Sequence, residues 1–273
     1  MTLSLWLIMM CGVGVVAGSV VNCVIWRLPV MQQQQAQREL HQLCALPPEE
    51  AKEPVRFNLF LPRSCCPRCR SPLAFYHNIP LLSWLLLLGR CHSCRQRISW
   101  RYPLVELLAA LCSGWIALCW PPGETAFALA LCAWLLIALA AIDIQHMQLP
   151  DLLTLPLLWL GLLANLEGAL VPLSDAVTGA AAGYLSLWFV CWGFKLVTGK
   201  EGVGYGDIKL LAALGAWCGW QRLPALLLCA ALMGIVAVLL LRLTGRSQRG
   251  EPLPFGPCLA LSGWWLLVTP AAT

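Results

Sequence analysis

Charge is what this chain has least of. Only 11% of its 273 residues are Asp, Glu, Lys or Arg, 59% are hydrophobic, and the mean hydropathy is +0.73. So little charge excludes an ordinary soluble domain and points to an all-α polytopic membrane protein. Other absences narrow the field. The first apolar run is followed by Arg27 and has no small-residue cleavage site, so it is expected to stay as an anchor rather than leave as a signal peptide. No internal repeat is evident, and no glycine-rich strand–helix fingerprint marks a nucleotide site. The net charge of +5 follows from membrane topology and gives no reason to invoke nucleic acid.

What is present is a series of apolar runs. A helix needs roughly 20 apolar residues to span the hydrocarbon core. Eight runs qualify or come near: 4–26, 103–120, 125–142, 152–170, 175–197, 208–221, 223–242 and 254–270, the sixth being short. Lys and Arg orient them. Eleven of the eighteen fall in 27–102, and eight crossings put Lys195, Lys200, Lys209, Arg242, Arg246 and Arg249 on the same side, leaving only Arg222 opposite. Seven crossings would break that separation. The long loop is therefore expected in the cytoplasm, with both termini outside.

That loop carries the second feature, its cysteines. Nine of the fifteen cysteines sit in apolar runs, where cysteine acts as a small hydrophobe. In the loop, Cys66-x-x-Cys69 and Cys91-x-x-Cys94 are separated by twenty-one residues, which matches two zinc-ribbon knuckles. Four thiolates close a tetrahedron and leave no open position, so the zinc is expected to be structural. Cys65 is an alternative to Cys66. The expected organisation is a first transmembrane helix (1–26), a small cytoplasmic zinc-ribbon-like domain (27–102) and a seven-helix membrane domain (103–273). The stretch "IPLLSWLLLLG" within the loop is too short to cross and is expected along the interface.

The third feature is carboxylates where apolar runs end. Asp143 closes eighteen uncharged residues after Glu124, in "LIALAAIDIQHMQLPDLL". Asp207 opens another apolar run behind Gly199, Gly202, Gly204 and Gly206, in "TGKEGVGYGDIKLLAALG". A carboxylate at a membrane edge is costly unless water, a partner or a proton makes it tolerable. Both aspartates fall at cytoplasmic ends of different spans, so they can meet. Two facing carboxylates sharing a proton provide an acid and a base in one place. The plainer alternative is that Asp143 pairs with Lys209 or Lys195, or caps a helix. Asp151 and Asp175 read as helix N-caps, His146 as a surface residue, and Glu106 as a partner of Arg101 or of a backbone group in the cysteine loop. Asn22, in "GSVVNCVIWRLP", either bonds across closely packed helices or touches a substrate.

Together these segments resemble the bacterial type IV prepilin peptidase family over nearly the whole chain. "GSVVNCVIWRLP" resembles its first-helix signature, and the cysteine module with "ISWRYPLVE" its cytoplasmic domain. "IDIQHMQLPDLLTLPLLWLGLLANL" and "EGVGYGDIKLLAALGAWCGW" resemble its two aspartate segments, the second holding the G-x-G-D element Gly204, Tyr205, Gly206 and Asp207. The resemblance implies a membrane aspartic endopeptidase of the bacterial inner membrane with Asp143 and Asp207 as its catalytic pair. It would remove the short basic leader of type IV prepilins or type II secretion pseudopilins, usually after a glycine. It further implies N-methylation of the new terminus with S-adenosylmethionine, and structural zinc on Cys66, Cys69, Cys91 and Cys94. An ion-coupled transporter is the rival reading, since intramembrane carboxylates and glycine-broken helices also serve ion coupling. A zinc-dependent assembly protein without enzyme activity is a third.

Overall fold

The computed structural model describes residues 2–43, 57–59, 61, 69, 71, 80–199, 204–245 and 253–269. Among these residues the protein is helical, with no strand beyond one isolated antiparallel bridge between Arg90 and Arg97. The helices are α1 (Leu3–Leu43), α2 (Leu82–Leu86), α3 (Arg101–Cys119), α4 (Glu124–His146), α5 (Asp151–Ala164), α6 (Leu173–Thr198), α7 (Tyr205–Cys218), α8 (Leu223–Leu243) and α9 (Gly256–Val268). Each of the eight apolar runs falls on one of them. Five helices, α1, α3, α4, α6 and α8, are long and apolar enough to cross a membrane. The other three, α5, α7 and α9, have 14, 14 and 13 residues. At 1.5 Å per residue each covers only about 20 Å, short of the roughly 30 Å hydrocarbon core.

The chain divides into two compact units, Met1–Trp115 and Ile116–Thr273. In the first, α1 and α3 pack through small residues. A Cβ on Gly14 would lie 2.7 Å from the Ala109 carbonyl oxygen, and one on Gly18 would lie 2.6 Å from Glu106 Cα. That closeness lets Asn22 Nδ2 donate to the Tyr102 carbonyl at 2.9 Å, which is the cross-helix reading of Asn22. Buried Glu106 accepts the Leu81 backbone N–H at 2.8 Å and so ties α3 to a backbone group of the cysteine loop. Among the described residues of "IPLLSWLLLLG" the five of α2 are helical, and Leu82, Leu85 and Leu86 are exposed.

The second unit is built around α7. From Asp207 to Cys218 nearly every residue of this helix is buried, Lys209 being the exception. Helix α6 approaches it backbone to backbone: a Cβ on Gly179 would meet the Gly215 carbonyl, one on Gly215 would meet the Gly179 carbonyl, and one on Gly183 would lie 2.8 Å from Leu211 O. Small residues allow this approach where apolar burial alone cannot bring helices together. On the α5 side Trp217 lies against Gly161 and donates its indole N–H to Leu157 O at 2.9 Å. Buried Asn165 donates to Gly161 O and Ala216 O and accepts from the Leu170 and Val171 amides, which closes the loop after α5. Arg222, alone among the basic residues in its place in the charge pattern, donates to Leu266 O at 2.6 Å near the end of α9. It serves an orphan carbonyl of the last helical turn.

The α6–α7 contact makes a quantitative prediction. Gly215→Val overpacks it and is expected to cost about 1–3 kcal/mol, read as a lower unfolding midpoint in detergent. Gly12→Ala, where an added Cβ meets nothing within 4 Å, should leave the midpoint unchanged or raise it. Equal stability of Gly215→Val and the parent would refute the contact.

Candidate active site

Three chain ends converge in the second unit: the C-terminus of α4, the N-terminus of α7 and the N-terminus of α9. Helix α4 stops at Met147, whose left-handed backbone (φ 54°) turns its N–H onto the Asp143 carbonyl at 2.9 Å. Its last buried side chain is Asp143. Helix α7 starts after Gly204, which leaves Asp207 in the first turn, where a carboxylate is favoured by the helix dipole. Helix α9 opens with Gly256 and Pro257 and has no side-chain cap of its own.

The missing cap comes from a distant residue. Asp143 Oδ2 accepts the Gly256 N–H at 3.0 Å, so a carboxylate at the end of α4 caps α9. Proline is tolerated at the next position because its absent N–H would have been orphaned there anyway. Asp143 and Asp207 are 6% and 9% exposed and close enough to interact electrostatically. Cys258, on the first turn of α9, interacts with both. Leu149 lies against the two glycines beside them, Gly206 and Gly256. A Cβ on Gly206 would lie 2.7 Å from Leu149 Cβ, and one on Gly256 would lie 3.2 Å from Leu149 Cδ2 and 2.7 Å from Asp143 Oδ2. Among the described residues, Asp207 Oδ1 is buried with no hydrogen-bond partner.

Of the plainer readings of Asp143, the helix cap forms, on α9, and the partnership with lysine does not. Lys209 Nζ donates to both oxygens of Asp151, at 2.7 and 2.8 Å. This also corrects the reading of Asp151 as an N-cap: Pro150 occupies that position, and Asp151 is the first helical residue of α5. Asp175 likewise lies inside the first turn of α6, behind Pro172, and accepts from Gln221 Nε2 at 2.7 Å. His146 is exposed, as expected. Gly202 lies outside the described residues. Sequence reasoning missed Gly256 and Leu149. The Gly-Pro pair opening the last apolar run was the available signal, because it marks a helix start left without a cap.

The cysteine cluster belongs to the first unit. The sulfurs of Cys69, Cys91 and Cys94 lie within 4.8 Å of one another, and Cys66 and Cys65 lie outside the described residues. The turn carrying two of them is tight: the Arg95 N–H bonds Cys91 O at 3.0 Å, and the Cys91 N–H bonds Gln96 O at 2.8 Å. Ser71 Oγ, 3.0 Å from Cys69 Sγ, donates to Ser93 Oγ at 3.3 Å and links the two knuckles. Zn–S bonds of about 2.3 Å put tetrahedral sulfurs roughly 3.8 Å apart, and the three thiols fit that donor set.

Comparison with known proteins agrees with these features. The family model of the type IV leader peptidase family matches residues 130–239, and that of the bacterial peptidase A24 N-terminal domain matches residues 13–120. The prepilin leader peptidase/N-methyltransferase of Aeromonas salmonicida (strain A449) is 53% identical over 251 residues, covering 92% of this chain and 86% of that protein. The identically named protein of Pseudomonas aeruginosa is 51% identical over 258 residues, covering 93% and 87%. That of Stutzerimonas stutzeri is 49% identical over 255 residues, covering 93% and 88%. No solved structure matches the chain.

Proposed function

The chain belongs to the type IV leader peptidase family, and from that premise we propose that it cuts leaders from prepilins or pseudopilins with Asp143 and Asp207. The observation that carries the reading is the convergence of two buried carboxylates at the ends of different helices, with Leu149 between the glycines beside them. In such a pair one carboxylate takes a proton from water as the water attacks the peptide carbonyl. The other donates to the carbonyl oxygen. Nothing among the matched families and relatives supports the ion-coupled transporter.

A prepilin has a basic leader and an apolar helix, so its cut site falls near the inner interface. The charge distribution supports eight crossings of the bacterial inner membrane, with the long loop and both aspartates toward the cytoplasm. Of the three short helices α7 then crosses enclosed by its neighbours, while α5 and α9 keep Leu152, Trp159, Leu261 and Trp265 exposed toward lipid. The N-methyltransferase activity uses S-adenosylmethionine, which supplies an electrophilic methyl group to the amine that cleavage exposes. No residue set among the described ones marks the place of its adenosyl group. The zinc-ribbon reading of the loop rests on Cys69, Cys91 and Cys94, with Cys66 as the fourth ligand. Zinc there would hold the loop together by closing its two knuckles.

Three measurements test this reading. Asp143→Asn or Asp207→Asn should each abolish leader cleavage by purified protein while expression and zinc content stay near normal. Asp151→Asn, which breaks an exposed ion pair worth about 0.2–1 kcal/mol, should keep most activity. Cleavage surviving Asp143→Asn would remove Asp143 from the pair. For the metal, elemental analysis should find roughly one zinc per chain, and serine at Cys69, Cys91 or Cys94 should lose it and lower methylation. Unchanged zinc in those variants would rule the site out. For topology, Gln145→Cys in a cysteine-depleted active variant should react with an impermeant maleimide in inside-out vesicles. Glu124→Cys should react in spheroplasts. The reverse pattern would invert the orientation.

A further inference from the structure

We infer that Gly256 is a positioning residue for proteolysis, its backbone N–H fixing Asp143 as the general base and leaving Asp207 as the general acid. The inference rests on the dyad reading and adds a division of labour within it. Three observations carry it. The Gly256 N–H donates to Asp143 Oδ2 at 3.0 Å in a buried setting, so that oxygen is held as an acceptor and carries no proton. Asp207 Oδ1 is buried with no partner among the described residues, so it is the oxygen placed to hold a proton and give it away. An added Cβ at 256 would lie 2.7 Å from the very oxygen that the amide binds, so a side chain there would push that carboxylate out of its present place.

The chemistry then balances. Asp143 takes one proton from water as the water oxygen bonds the scissile carbon. Asp207 gives its proton to the carbonyl oxygen, forming a gem-diol. On collapse the C–N bond breaks, the leaving nitrogen takes the proton from Asp143, and one hydroxyl returns a proton to Asp207. Asp143 ends ionised and Asp207 protonated, as they began. The hydrogen bond from the Gly256 N–H to Asp143 Oδ2 favours the ionised carboxylate of the base through the whole cycle.

The amide has a second effect. Asp143 and Asp207 sit on separate helices, and the Gly256 bond ties one of them to a third. Leu149, lodged against Gly206 and Gly256, limits how far α7 and α9 can shift toward each other. A misplacement of about 1 Å at such a site costs roughly a hundredfold in rate.

The test uses the full-length protein in detergent with a prepilin peptide. Gly256→Ala should lower kcat about a hundredfold with KM changed less than about threefold, while methyl transfer to a leaderless peptide persists. Asp207 and Cys258 also face Asp143. Losing the amide bond should therefore move the acid limb of the residual pH–rate profile to higher pH, because the base limits that side. A shift of the alkaline limb would reverse the assignment. Near-parental kcat, or rescue by adding Leu149→Ala, would show that Gly256 merely seats Leu149 and would overturn the proposal. If Gly256→Ala does not fold, the Asp143→Ala background decides: recovered stability there supports the Gly256–Asp143 constraint, and equal loss in both backgrounds refutes it. Asp143→Asn remaining active would instead sink the dyad itself, a result distinct from any of these.

Discussion

Two carboxylates held away from water are the constraint around which the second unit is organised. An isolated buried charge is too costly to keep, so each must have a donor, a proton or a counter-charge. A counter-charge is close in sequence, since Lys209 follows Asp207 by two residues. Residues two apart on a helix face different directions, and Lys209 instead reaches Asp151 on α5. The lysine therefore joins α7 to α5 without quenching the pair. What reaches the aspartates are weaker partners: the Gly256 amide on Asp143, the Gly204 backbone on Asp207, and each other. That leaves the proton mobile, as the proposed acid–base role requires.

Holding the carboxylates still is the task of α7 and its neighbours. Helix α7 is short, and α6 meets it backbone to backbone at Gly179, Gly183 and Gly215. Contact this close leaves little freedom for the helix to slide or roll. Trp217 and Asn165 lock its far end by hydrogen bonds to α5 and to the loop after it. Asp207 thus stands on a helix fixed at both faces, which suits a group that must stay within a fraction of an ångström of its partner. The glycines here act through the room they leave for a neighbouring backbone. Gly199, at the end of α6, and Gly219, at the end of α7, instead use a positive φ (67° and 76°) to end their helices.

How much of this could be read from the sequence depended on range. The Cys91 and Cys94 turn is legible because it is local, and spacing alone brings two thiols onto it. The aspartates are legible because a lone charge at the end of an apolar run is conspicuous. Glu106 was half legible: a buried carboxylate beside a loop must find a donor, and Leu81 supplied one. Asp151 misled. A Pro-Asp-Leu start resembles a cap, but its true partner lies 58 residues away, beyond any local pattern. Gly256, Leu149, Trp217 and Asn165 were not legible for the same reason, as their roles exist only once α4, α5, α7 and α9 are packed. A glycine in a sequence says that something comes close without saying what.

The bond from Asp143 to Gly256 spans 113 residues and joins the first helix of the second unit to its last. Its consequence is that the pair cannot be completed by a partly assembled chain. With α4 to α7 packed but α9 undocked, Asp143 would lack the one N–H it accepts, and Leu149 would lose the wall at Gly256 that confines it. The mouth between α4 and α7 would then admit water and let the carboxylates drift apart. Docking of α9, which buries Leu259, Ala260, Gly263 and Leu267, would thus be coupled to the proposed chemistry through the Gly256 amide. For a membrane peptidase with the proposed pair, this arrangement would tie the onset of chemistry to completion of the fold.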